Sequence, residues 1–214
     1  MKKGLIIFAG LVILVKVHAQ TVTDFDGNVY NTVTIGTQVW MKENLKVTRY
    51  NNGDSIPKVI NDTIWENQTA GAYCDFENFA ANSVIYGKLY NWFTVNDNRG
   101  IAPSGWHIPT DEDWTLLTNA LGGESISGGK LKDTGTVYWI SPNMGATNES
   151  GFSGLPGGNR YDDGRFGGIR DDANFWSSTA FDINYAKIRS LTYSLPSVSN
   201  TSFLKKKRVI STLC

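Results

Sequence analysis

Residues 105–123 read Gly-Trp-His-Ile-Pro-Thr-Asp-Glu-Asp-Trp-Thr-Leu-Leu-Thr-Asn-Ala-Leu-Gly-Gly, and this run does most to set the fold class. Thr110 stands where an N-cap belongs, and Asp111, Glu112 and Asp113 fill the first turn, where they meet the helix dipole favourably. Trp114, Leu117 and Leu121 then fall on one face, and Gly122-Gly123 ends the element. Upstream, Ile85, Leu89 and Trp92 recur at i, i+4, i+7 beside Tyr86, Tyr90 and Phe93, which predicts a second amphipathic helix over 83–95. Residues 24–50 read as β-rich, with Thr32–Ile35 and Gln38–Met41 as strands around a Gly36-Thr37 turn. From Gly128 onward Gly, Asn, Asp and Ser interrupt the chain every few residues. That leaves room only for short strands such as 174–179 and 186–193. Two helices with several short antiparallel strands and a long loop-rich second half make an α+β domain.

The chain has 214 residues, 41% hydrophobic and 19% charged, which excludes disorder and a coiled coil. Twenty basic and twenty acidic residues cancel, so there is no electrostatic footprint for nucleic acid. Lys2 and Lys3 precede an apolar run from Leu5 to Val15, and Val17-His18-Ala19 supplies a small-x-small cleavage site before Gln20. Residues 1–19 therefore read as a secretory signal peptide, with residues 20–214 as one domain. The run is too short for a bilayer span, and no second one follows. The expected address is outside the cytoplasmic membrane: secreted, periplasmic or on the cell surface. Cleavage removes three lysines and His18, leaving a net charge of −3 and a single histidine, His107. One imidazole excludes a multi-histidine zinc site.

Cys74 and Cys214 both survive processing into a compartment where disulfides persist. They form either a bridge that ties the tail to the body or two free thiols.

Several motifs occur in order along the chain. They are Asp26-Gly27-Asn28-Val29-Tyr30, Ile35-Gly36-Thr37-Gln38-Val39-Trp40-Met41 and Glu43-Asn44-Leu45, then Tyr86-Gly87-Lys88-Leu89-Tyr90-Asn91-Trp92 and Gly105–Asp111. Gly128-Gly129-Lys130-Leu131-Lys132, Gly151-Phe152, Leu155–Arg160 and Phe175-Trp176-Ser177-Ser178 complete the set. With these the chain resembles the Fibrobacter succinogenes major paralogous domains, a group of exported bacterial proteins, over roughly residues 24–200. The resemblance implies a fold related to C-type lectin-like domains and, more distantly, to formylglycine-generating oxidases. It defines no activity.

Family members tend to finish on a Gly-x-Ser-Val-Arg-Cys-Val strand, whereas this chain ends Lys205-Lys206-Lys207-Arg208-Val209-Ile210-Ser211-Thr212-Leu213-Cys214. If the three lysines are AAA codons, another frame of the same DNA can read Gly-Leu-Ser-Val-Arg-Cys-Val, as a slip in a poly-A tract would produce. A basic tail in place of an apolar strand is expected to leave a sheet edge open.

Candidate chemistry is sparse. The densest polar cluster is Asn159, Arg160, Asp162 and Asp163, followed by Asp171, Asp172 and Trp176, a mixture suited to sugar hydroxyls. The alternative is local turn formation. The Glu-Pro-Asn and Gln-Pro-Asp triplets of sugar-binding C-type lectins are absent. Asp24-Phe25-Asp26-Gly27-Asn28 suggests a calcium loop, but its glycine is fourth rather than sixth and Ile35 replaces the bidentate glutamate, so a tight turn is expected. No cofactor is expected, and calcium has no support from ligand spacing. His107 reads as a structural imidazole bonded to backbone, and Asp111–Asp113 as capping groups. Trp40, Trp92, Trp106 and Trp114 are expected in the core, with Trp65 and Trp139 as exposed platforms. The expected function is a non-catalytic exported module that binds a glycan or a surface protein through its second-half loops. The alternative, an enzyme of the formylglycine-generating type, is disfavoured because it needs a convincing cysteine pair.

Overall fold

Strands β1 (Thr21–Thr23), β2 (Val29–Ile35) and β3 (Gln38–Met41) form an antiparallel sheet in that order, with Gly36 at φ 60° making the predicted hairpin turn. The computed structural model describes residues 20–205 and 209–211, the side chains of the last three excepted. Residues 1–19, expected to be a signal peptide, and Cys214 lie outside the described residues. Between β1 and β2 the Asp24 carboxylate takes backbone N–H groups of Asp26 and Asn28 on Oδ1, at 3.0 and 2.9 Å. Its Oδ2 takes Asn28 Nδ2 and the Tyr30 hydroxyl, at 2.8 and 2.6 Å. Four donors use both oxygens, so this run is a tight turn.

The helix predicted over 83–95 is three elements. After the short helix α1 (Asp62–Glu66), strand β4 (Tyr73–Cys74) and a 3-10 turn at Phe76–Asn78, helix α2 covers only Ala80–Tyr86. Strand β5 (Leu89–Asn91) and helix α3 (Trp92–Val95) follow. Gly87 breaks the helix: it sits at φ 74°, and a Cβ there would lie 2.5 Å from the Asn44 side chain. Asn91 then starts α3 by accepting the Thr94 N–H at 3.0 Å.

Helix α4 (Asp111–Ala120) matches its prediction, with a reciprocal capping box between Thr110 and Asp113 and with Trp114 and Leu117 buried. Helix α5 (Glu124–Leu131) was not expected across Gly128-Gly129. Those glycines let loops press against the helix: a Cβ would lie 2.2 Å from the Ser197 carbonyl oxygen at Gly128 and 2.1 Å from that of Gly145 at Gly129. Just beyond α5, Lys132 is fully buried and donates to the carbonyls of Met144, Thr192 and Leu195 at 2.8, 2.8 and 2.9 Å.

The second half is more regular than its composition suggests. After β6 (Gly157–Arg160) and β7 (Phe166–Ile169) come β8 (Asp172–Ala180), β9 (Tyr185–Thr192) and β10 (Val198–Leu204), a three-stranded antiparallel meander of nine, eight and seven residues. Buried small residues, Ala173, Ser177 and Ala186, let these strands pack without long apolar runs. Strand β11 (Val209–Ser211) lies between β5 and β6 in a sheet of order β4-β5-β11-β6-β7. The expectation of an open sheet edge at the tail is thus corrected: Ile210 is opposite Tyr90 on one side and Asn159 on the other. Three residues of extended backbone suffice to close that gap.

The main core gathers Trp40, Trp114, Phe152 and Phe175, with ring centroids 4.9–6.3 Å apart. The expected platforms Trp65 and Trp139 are 1% and 0% exposed, a correction with a clear cause. Trp139 donates its N–H to the Gly154 carbonyl at 3.0 Å, and Trp65 lies against the Arg160 guanidinium, 4.7 Å from ring centre to Cζ. Loop sequence around a tryptophan therefore did not mean exposure. Among the described residues no helix is long and apolar enough to cross a membrane.

Asp75, with its side chain 1% exposed, joins β4 to the Lys58 ammonium at 2.5 Å and the Lys88 ammonium at 3.0 Å, and accepts the Ser83 hydroxyl. Burial alone would raise its carboxyl, but Lys58, Ser83 and Lys88 outweigh that and hold it down to about 2. The unfolded chain takes up this proton first as pH falls, so the contribution is present above about 4 and is lost between about 4 and 2. The expected size is roughly 2 kcal/mol. In urea melts, the stability gap between the native chain and Asp75→Asn should therefore shrink as pH drops from 5 to 2.5. A gap that stays constant would contradict this assignment.

Candidate functional site

A surface groove of about 380 Å³ opens between the first sheet and the segment leading into α4. Its walls are Gln38, Val39 and Trp40 from β3, the run Gly105-Trp106-His107 with Pro109, Asp113 from α4, and Gln20 ahead of β1. Each wall has a local cause. A turn closed by the Trp106 N–H on the Pro103 carbonyl, at 2.9 Å with Gly105 at φ 82°, presents Trp106 half-buried at the groove. Strand β8 holds the following residues, with the Ser178 N–H on the Pro109 carbonyl at 2.9 Å and the Ser178 hydroxyl on that of Ile108 at 3.1 Å.

Asp113 organises the polar side. Its Oδ2 accepts the Thr110 N–H at 2.9 Å and the Thr110 hydroxyl at 2.7 Å, and stands 3.0 Å from His107 Nε2. Its Oδ1 accepts Gln38 Nε2 at 3.1 Å. Burial pushes the carboxyl up, yet the Thr110 and His107 bonds hold it below the ordinary carboxylate range. An ionised carboxylate only accepts, so Nε2 of His107 donates to it, which leaves Nδ1 as an acceptor whenever the ring carries a single proton. His107 is thus not the backbone-bonded imidazole that was expected: its partner is a carboxylate, and its side chain is 71% exposed. Asp111 points elsewhere, to the buried Arg189 at 2.6 Å, as divergence along a helix requires.

The second-half candidates do not converge. Trp176 is 0% exposed and donates to the Tyr90 carbonyl at 3.1 Å. Asn159 is buried and donates to the Gly167 carbonyl at 2.9 Å. Arg160 is fully buried, bonded to the carbonyls of Val59, Ile60 and Gly164 and to Asp62. These three are packing groups, because β6 and β8 run beneath the surface. Asp163 pairs with Arg165 at 2.6 Å in a turn. Asp162 is half-buried, as are Asp171 and Asp172, and burial followed by the Asp171 charge raises the Asp172 carboxyl. Cys74 is free and buried, and burial pushes its thiol up to about 12. The groove was missed because Gln38 and Asp113 are 75 positions apart. Only the adjacency of an aromatic and a histidine in Trp106-His107 hinted at it.

Antiparallel sheets, two longer helices and an aromatic-walled groove define an α+β domain with a small-ligand-sized surface site. Residues 33–210 match the Fibrobacter succinogenes major domain. The chain belongs to that family. No curated protein and no solved structure matches it.

Proposed function

We propose that the chain is an exported, non-catalytic binding module that recognises a saccharide in the Trp106 groove. The carrying observation is the half-buried Trp106 beside a carboxylate-fixed His107 and the Gln38 amide. An aromatic face stacks on sugar C–H groups, while an imidazole acceptor and an amide match adjacent hydroxyls. The location shifts from the second-half loops to the first half, since Asn159, Arg160 and Trp176 are committed to packing. A His–Asp pair is also two thirds of a hydrolase triad, but among the described residues none of the nine that line the groove carries a hydroxyl or thiol nucleophile. The high thiol of Cys74 weighs against the formylglycine-generating alternative, whose chemistry needs thiolate. The exported address, whether secreted, periplasmic or on the cell surface, is part of the same proposal and rests on reading residues 1–19 as a cleaved leader. A C-type lectin-like fold is part of the same proposal, supported by the helices α4 and α5 set against antiparallel sheets.

A glycan-array screen of the leader-free protein, with and without calcium, is expected to give calcium-independent hits. Trp106→Ala should weaken them roughly tenfold or more. His107→Ala should weaken them too while leaving the melting temperature unchanged, because the ring is exposed. Hits that survive both substitutions, or turnover of a bound glycan, would overturn the proposal.

A further inference from the structure

Gln20 is both the residue that leader removal would expose and a wall of the groove. Its position is fixed: the Gln20 carbonyl accepts the Thr32 N–H at 3.0 Å and the Thr32 hydroxyl at 2.6 Å, and the next residues pair with β2, Thr21 opposite Asn31. A chain start is usually frayed, but this one is tied at its first carbonyl. The Gln20 side-chain amide makes no hydrogen bond among the described residues, and the residue is exposed, so the amide is free to react.

We propose that cleavage after Ala19 completes the ligand groove, and that Gln20 then closes to a pyroglutamyl ring at its rim. The new α-amino nitrogen attacks Cδ of the same residue, the bond from Cδ to the amide nitrogen breaks, and ammonia leaves. The reaction is internal to one residue and needs no oxidant or co-reactant. It replaces a charged amine with a neutral lactam bearing one N–H and one C=O, the same kinds of donor and acceptor that the Gln38 amide carries across the groove. The ring therefore extends the polar wall for a neutral ligand. An uncleaved leader instead continues the chain from the nitrogen of Gln20 and denies the groove this ring. The inference rests on the groove and on leader removal, and it needs no identified ligand.

The test uses full-length chain expressed with its leader and recovered after export. Mass spectrometry of the N-terminal peptide is expected to show a start at residue 20 and a mass about 17 Da below that of free glutamine, the loss of ammonia. The indole N–H of Trp106 and the imidazole signals of His107 should shift between this protein and a cytosolic form with extra residues before Gln20. The buried Trp176 indole should not move. A different start site, a retained free amine, or Trp106 and His107 signals identical in the two forms would overturn the proposal. A glycan array without hits leaves these readouts untouched, so failure of saccharide binding and failure of this inference are separable.

Discussion

Lys132→Met should lower the free energy of unfolding by about 4 kcal/mol, read as a shift of the urea midpoint at unchanged slope. Three charge-assisted bonds to carbonyls are worth roughly 1.5–3 kcal/mol each. Against them stands the cost of burying the ammonium, visible in a pKa pushed down to about 8 by desolvation. That cost is about 3 kcal/mol, which the substitution would return. The carbonyls decide the sign: Met144, Thr192 and Leu195 lie on separate loop and strand ends, and methionine offers them no donor. Only the charged amine has three N–H groups for three acceptors. The same geometry predicts rescue. Lys132→Ala should be restabilised by millimolar propylammonium, which can place a cation among the three oxygens, and not by tetramethylammonium, which has no N–H. A Lys132→Met chain within 1 kcal/mol of native would show that the three loops hold their places without the ammonium.

Arg160→Lys is expected to cost about 2–4 kcal/mol, although charge is kept. The guanidinium is packed between Trp65 and Phe166, 4.7 and 4.9 Å from their ring centres. Its nitrogens also reach the carbonyls of Val59 at 2.6 Å, Gly164 at 2.9 Å and Ile60 at 3.1 Å. A lysine ammonium cannot stack as a plane or span those carbonyls from one position. Its fourth partner, Asp62, has its side chain 62% exposed, so Asp62→Asn should change stability by less than about 1 kcal/mol. Equal losses for the two substitutions would mean that the ion pair, rather than the carbonyls and rings, anchors the residues before α1.

Local signals reported local structure well and distant pairing poorly. Thr110, the three acids and the Trp114/Leu117 spacing specify α4 because capping and helix period act within a few residues. The same spacing misled at Ile85, Leu89 and Trp92, where a helix, a strand and a second helix in succession mimic one apolar stripe. Gly87 inside that stripe was the available warning, since its positive φ and the close Asn44 side chain forbid a continuous helix. Arg160 and Asp163 sit together in a polar run, yet one is fully buried and the other is exposed in a turn. Composition cannot separate them, because the difference depends on Val59 and Ile60, a hundred positions away. The groove has the same difficulty, its walls coming from four separated stretches of chain.

The last strand among the described residues is a middle strand of the five-stranded sheet, where Ile210 meets Tyr90 and Asn159. Until it arrives, β5 and β6 have no common partner, and the sheet must wait for a contact spanning about 120 positions, a slow kind of closure. A chain stalled or clipped a few residues early would present two unsatisfied edges to any passing strand.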